Sequence, residues 1–200
     1  GYDIPIHVDA ASGGFILPFL KPELEWDFRL KWVLSISTSG HKYGLVYPGL
    51  GWIVWKDKKF LPDSMSFSVN YLGAEVTQVG LNFSRPAAQI LGQYYQFIRL
   101  GYEGYKAIQH NSMEIAKYLH GEIGKMKPFK NYSSEVTNPL FIWEMKGEYA
   151  KQCKWTLYDL QDKLRQNGWM VPAYTLPTTL EKTIVMRIVV RQGFSRDMAD

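Results

Sequence analysis

In STSGHKYG, residues 37–44, His41 and Lys42 stand side by side among small and hydroxylated neighbours, directly after the apolar-alternating run WVLSI. A lysine at the end of a buried strand must reach water or do chemistry, because an unpaired buried ammonium is costly. The second residue able to do chemistry is Asp9, which closes the run IPIHVD and is followed by the small residues of AASGG. Each has an ordinary explanation when taken singly: an acid after a strand commonly caps the next turn, and most lysines are solvated. The pair says more. An acid at one strand end and a lysine at the end of a nearby strand, cushioned by AASGG and STSG, leave room for a flat ligand between them.

Pyridoxal 5'-phosphate needs such a pair for a physical reason. The lysine amine forms a Schiff base with its aldehyde, while a carboxylate keeps the ring nitrogen protonated so that the ring can accept electrons. Each unit by which the carboxylate raises the ring nitrogen's pKa favours the charged form by roughly 1.4 kcal/mol, so a buried acid here would matter to rate. A small side chain at Ala11 lets the ring pack flat. Arg187 is a further candidate: alternation in TIVMRIVV aligns it with Val185 and Val189 and puts Ile184, Met186 and Ile188 on the other face. Periodicity leaves two readings of it open, an anion-binding arginine or an edge strand with Arg187 and Arg191 facing solvent.

The elements that must position these residues follow from the pattern. Ile4, Ile6 and Val8 predict a buried parallel strand that delivers Asp9 at its carboxyl end, and WVLSISTS and LGWIVW predict two more strands. Residues 1–55 therefore belong to an α/β sheet, whose ligands sit beyond the carboxyl ends of the strands. Residues 56–83 are loop-rich and predict a covering element. A helix is expected from SRPAAQ, capped by Ser84 with Pro86 in its first turn, and closed by Gly101. Ile108, Ile115, Leu119, Ile123 and Met126 form one stripe of a second helix, with a domain boundary near 105. Beyond it, PLFIWEM and TIVMRIVV are strands, and TLYDLQDKLRQNG is a helix with a Thr156–Asp159 capping box, Leu157, Leu160 and Leu164 inward, and Gly168 as terminator.

The composition narrows the class. Two hundred residues with 46% hydrophobic content suit a folded chain with a substantial core, and no apolar run approaches the roughly 20 residues needed to cross a bilayer. Cys153 is the single cysteine, so no intrachain disulfide or cysteine metal framework can form, and a cytoplasmic setting is expected. The formal charge of +4 is dispersed, with KDKK at 56–59 the one dense cluster, so neither nucleic acid nor a membrane surface is expected as a partner. His7, His110 and His120 show no metal-ligand spacing, and the last two are expected on a helix surface. A start inside an apparent strand and a stop where Ser195 would open a helix predict that the natural chain continues at both ends.

HVDAASGGF, then SISTSGHKYG, then NFSRP together resemble the pyridoxal-phosphate-dependent group II decarboxylases, in particular their bacterial and plant glutamate-specific branch, along essentially all of the chain. The resemblance implies a fold-type I fragment: residues 1–105 as the C-terminal part of the large cofactor domain with an interdomain helix, and 106–200 as a small α+β domain incomplete at its end. By the same resemblance Lys42 is the Schiff-base lysine, Asp9 pairs with the ring nitrogen, Ala11 lies against the ring, and His41 touches the phosphate. Ser84 reaches the phosphate of a neighbouring subunit, and Arg187 grips the substrate's α-carboxylate. Tyr71 sits near the reacting carbon on a loop that closes over the neighbour's site, with Glu75 a weaker candidate.

The implied reaction is α-decarboxylation of L-glutamate to 4-aminobutanoate and carbon dioxide, by a homo-oligomer of at least two subunits with shared sites. Residues reading the distal carboxylate are expected upstream of Gly1, so the 200 residues alone are expected to be inactive. Two alternatives stand beside this reading. One is another pyridoxal-phosphate-dependent amino-acid decarboxylase or lyase; the other is a non-enzymatic interaction module, which would bind its partner with strong salt dependence.

Overall fold

The computed structural model describes residues 3–69, 73, 76–79 and 86–200. They fall into two units, Gly1–Tyr105 and Lys106–Asp200.

The first unit is built on a three-stranded sheet in the order β1-β2-β3. β1 (Ile6–Asp9) is followed by a short 3-10 turn at Gly13–Phe15 and by α1 (Leu17–Leu20), which opens on a proline in its first turn. β2 (Val33–Ser39) runs parallel to β1, and β3 (Gly51–Trp55) runs antiparallel to β2. Ala10, Val33 and Ile36 form a buried cluster, with Val8, Trp26 and Phe28 packed on it. The expected burial of IPIHV is not met. The β1 register shifts between Ile6 and His7, and the residues before the shift lie off this cluster: Ile4 is 62% and Ile6 45% exposed.

The stretch expected to be loop holds a hairpin, β4 (Ser66–Val69) against β5 (Val76–Val79), forming a two-stranded sheet of its own. Two short runs of β-prone residues, SFSV and VTQV, suffice for this antiparallel pairing. α2 (Ala88–Lys125) starts later than expected: its first bond runs from the Leu91 N–H to the Ala87 carbonyl, so Pro86 stands before the first turn. Gly101 interrupts α2 with φ 58° and ψ −166°, a backbone conformation that suits glycine.

The early turns of α2 reverse the usual polarity of a surface helix. Gln89, Gln93 and Gln96 face inward, and Gln93 is fully buried, while Leu91 and Ile98 are 68% and 67% exposed. Aromatic rings complete this unit's core, with Phe19 stacked on Tyr105 at 5.3 Å and Phe15 beside Phe97 at 6.2 Å between centroids.

The second unit carries an antiparallel sheet in the order β6-β7-β9-β8, formed by β6 (Phe129–Asn131), β7 (Leu140–Met145), β8 (Ala173–Thr175) and β9 (Ile184–Val189). Between β7 and β8 come α3 (Gly147–Gln152) and α4 (Leu157–Gln166); α5 (Arg196–Ala199) closes the chain. Strand alternation puts Phe141, Trp143 and Met186 into one buried cluster with Ile123, Phe129 and Leu157. Fully burying such side chains contributes about 1.5–3 kcal/mol each. The Thr156–Asp159 capping box forms, and Gly168 takes a positive φ of 85° after α4. Thr156 donates to the Asp159 carboxylate and holds it below the usual carboxylate range. No helix among the described residues is long and apolar enough to cross a membrane.

Candidate active site

The parallel pairing of β1 with β2 brings their carboxyl ends to the same edge of the sheet. Asp9 is opposite Ser37, and the ladder runs on past the strand: the Ala10 N–H donates to the Ser37 carbonyl at 2.8 Å and the Ser39 N–H to the Ala11 carbonyl at 3.2 Å. Asp9, Ala11, His41 and Lys42 are therefore carried by one continuous hydrogen-bonded edge. The Asp9 carboxylate accepts the Ala11 N–H at 3.0 Å, a side-chain turn that orients it. The turn role and a ring-nitrogen role are compatible, because a carboxylate has acceptor capacity to spare. Among the described residues nothing covers that face, and the Asp9 side chain is exposed.

On the same face, alternation places His7 beside Asp9. The His7 ring bridges two serines of β2, with Nδ1 2.8 Å from Ser35 Oγ and Nε2 3.2 Å from Ser37 Oγ. Sequence reading gave His7 no partner because the pairing register that supplies both serines is a long-range feature.

Lys42 rides in the middle of a tied turn. Its N–H donates to the Ser39 carbonyl at 3.2 Å; the Gly40 N–H reaches Leu50 at 3.1 Å, and the Val46 N–H reaches Gly40 at 3.3 Å. Leu45 takes a positive φ of 67°. The Lys42 side chain is half-buried, and among the described residues its ammonium has no hydrogen-bond or ion-pair partner. His41 is also half-buried, and its Nδ1–H donates to the Leu50 carbonyl at 2.7 Å. That bond fixes the tautomer: Nε2 can donate to an anion only when the ring is the imidazolium.

The chemistry of Asp9, Ala11, His41 and Lys42 fits what pyridoxal phosphate would need, an acid, a small residue, a histidine and an amine, and among the described residues the Asp9 face is open and the Lys42 amine has no partner. Tyr71, Glu75 and Ser84 lie outside the described residues. Among the described residues no cluster of three or more His, Cys, Asp or Glu could hold a metal ion.

Arg187 belongs to the second unit. β9 lies between β7 and β8, with Arg187 opposite Ile142, so the edge-strand reading is overturned. The guanidinium is exposed and sits 5.8 Å from the Tyr174 ring centroid. It borders a recess of about 400 Å³ with Gln161, Arg165, Trp169 and Pro172. Among the described residues no acidic side chain lines that recess, which leaves it cationic. His110 is exposed, as expected; His120 is half-buried, bonded to the Ser133 carbonyl at 3.0 Å and edge-on to Phe141.

Residues 1–146 match the family described as the pyridoxal-dependent decarboxylase conserved domain. The chain is 51% identical over 198 residues to a glutamate decarboxylase of Lactococcus lactis subsp. cremoris, covering 99% of this chain and 42% of that protein. It is 50% identical over 200 residues to glutamate decarboxylase 5 of Arabidopsis thaliana, covering 100% and 40%. The solved structure of a Lactobacillus brevis glutamate decarboxylase superposes with a TM-score of 0.91 at 48% identity, over 98% of this chain and 44% of that one. The chain thus spans about two fifths of the length of the relatives it matches.

Proposed function

Because this chain belongs to the pyridoxal-dependent decarboxylase family, we propose that it supplies part of the active site of a glutamate decarboxylase, converting L-glutamate to 4-aminobutanoate and carbon dioxide. The observation that carries this reading is that Asp9 and the turn carrying Lys42 lie beyond the carboxyl ends of two paired parallel strands, with the Lys42 amine free of a partner among the described residues. Identities of about half with proteins named glutamate decarboxylase support the choice of substrate. The unit Gly1–Tyr105 is assigned to the large cofactor domain and Lys106–Asp200 to the small C-terminal domain.

Pyridoxal phosphate, when bound, supplies the sink for the electrons that the departing carboxylate leaves behind. The chain's own residues do the rest. Lys42 Nζ would hold the cofactor at its aldehyde carbon, supplying the amine for a Schiff base. The Asp9 carboxylate holds the proton on the ring nitrogen. Ala11 would keep the ring face clear, and His41 would face the phosphate. Arg187 holds the substrate's α-carboxylate, Tyr71 stands near the reacting carbon, and Ser84 serves a neighbouring subunit's phosphate. A homo-oligomer of at least two subunits in the cytoplasm follows from the last of these roles and from the lone Cys153.

The full-length enzyme provides the test. A visible absorbance band that borohydride abolishes, with the reduced adduct mapped to Lys42, is expected, together with carbon dioxide release from glutamate in preference to aromatic or sulfur-containing amino acids. An adduct on another lysine would overturn the site, and faster release from an aromatic amino acid would overturn the substrate.

Arg187→Lys provides a separate check. Lysine keeps the charge but loses the two-pronged fork that matches a carboxylate. A charge-assisted bond is worth roughly 1.5–3 kcal/mol, so kcat/KM for glutamate should fall about 10- to 100-fold with cofactor content unchanged. Kinetics equal to the parent would remove Arg187 from the substrate site.

A further inference from the structure

We infer that Gln93 and Tyr105 are positioning residues that set the orientation of Lys42; this inference rests on the reading of Lys42 as the cofactor-holding lysine. Three glutamines on one helical face meet three carbonyls of the segment that follows Lys42, those of Gly44, Leu45 and Pro48. Gln93 Nε2 donates to the Gly44 carbonyl at 2.8 Å, Gln96 Nε2 to Leu45 at 3.2 Å, and Gln89 Nε2 to Pro48 at 3.2 Å. The 89, 93, 96 spacing is i, i+4, i+7, so α2 presents all three to the segment at once.

The centre of this arrangement is closed on itself. Gln93 Nε2 also donates to the Tyr105 hydroxyl at 2.9 Å, and that hydroxyl donates to the Gly44 carbonyl at 2.9 Å. Gln93 is 0% and Tyr105 2% exposed. Burial pushes the Tyr105 phenol up to about 12, so it stays a donor across the range in which an enzyme works.

The amide packs against both glycines that bracket His41 and Lys42, although at Gly44 the Gly40 backbone stands closer still, its O 2.5 Å and its Cα 2.7 Å from where a Cβ would be. Gln93 Oε1 would lie 2.5 Å from a Cβ on Gly40 and 2.8 Å from one on Gly44. The backbone can approach the amide only because both positions lack a side chain. Lys42 therefore hangs from a turn whose two ends are held against one buried side chain. The amide N–H groups of this network are used while the Gln93 Oε1 is buried with no hydrogen-bond partner among the described residues, so the network fixes one geometry rather than adding net stability. A lysine displaced by about 1 Å loses up to about 100-fold in rate.

The experiment uses the full-length enzyme loaded with pyridoxal phosphate, as Gln93→Met, Tyr105→Phe and Gly44→Ala. For Gln93→Met and Gly44→Ala, kcat per bound cofactor is expected to fall about 10- to 100-fold with KM for glutamate within threefold. The pH midpoint of the bound cofactor's visible band should move with it. Tyr105→Phe, which removes one hydroxyl and keeps the ring packing, should give the same signature at about three- to tenfold and keeps the idea testable if the other variants do not fold. A merely structural role would lower the melting temperature and leave kcat per bound cofactor and the band midpoint at parental values; that outcome overturns the inference. Failure of borohydride to label Lys42 in the parent overturns the underlying reading, and the inference with it.

Discussion

Full-length enzyme carrying Lys42→Ala is expected to lose glutamate decarboxylation by at least about 100-fold, the cost of misplacing a reacting group, because no amine remains to form the Schiff base, and to give no borohydride adduct at position 42. The loss should appear in kcat, because Lys42 acts on the reacting group and the substrate's own carboxylates bind elsewhere. Lys42→Arg is expected to be as severe: a guanidinium keeps the charge and stays protonated, so it offers no nucleophilic nitrogen. Folding should be little affected, since among the described residues the Lys42 side chain has no partner to lose and only its backbone N–H is bonded in the turn. Melting temperatures near that of the parent would separate lost chemistry from lost structure. A Lys42→Arg enzyme that turned over glutamate at a parental rate would remove Lys42 from the chemistry altogether.

The second large effect is expected from Asp9→Asn. Asparagine is a clean probe here, because its amide oxygen can still accept the Ala11 N–H that Asp9 accepts at 3.0 Å, so the turn survives and only the charge is removed. An opposite charge at close range moves a partner's pKa by about 1–3 units. Each unit is roughly 1.4 kcal/mol, or tenfold in rate if fully expressed in the barrier. A fall in kcat of about 10- to 10³-fold is therefore predicted, together with a downward shift of the ring-nitrogen titration followed by absorbance. Asp9→Ala, which also deletes the turn acceptor, should be worse in both stability and rate. Equal kcat for Asp9→Asn and the parent would assign Asp9 to the turn alone.

These two effects differ in what they require of the fold. Lys42 needs its backbone held, and the Gly40–Gly44 turn with its amide contacts supplies that. Asp9 needs a low-dielectric surrounding to act at full strength, yet its face is open among the described residues. The described residues thus account for where the carboxylate points, and whatever covers that face in the full-length protein decides how strongly it acts.

Much of this was legible in the order of residues alone. Strand alternation located β2, β3, β7 and β9, a Thr-x-x-Asp spacing located α4, and a small-residue context singled out Asp9 and Lys42, because periodicity and capping are local and each depends on neighbours within a few positions. Where the reading failed, the cause was long-range. The register shift after Ile6 left an apolar start exposed, β9 became an interior strand because β8 and β7 both pair with it, and the stretch before α2 folded into a hairpin. Gln89, Gln93 and Gln96 went unnoticed although their spacing was visible, since polar residues on a helix are ordinarily assigned to solvent. Sequence by itself determined which side chains carry an amine and an acid, and that each ends a strand. Only tertiary structure decided that the two strands run parallel, so that both ends meet at one edge, and that a buried amide from a helix some fifty residues away clamps the turn, because hydrogen-bond partners so far apart in the chain are chosen by packing and not by any local preference.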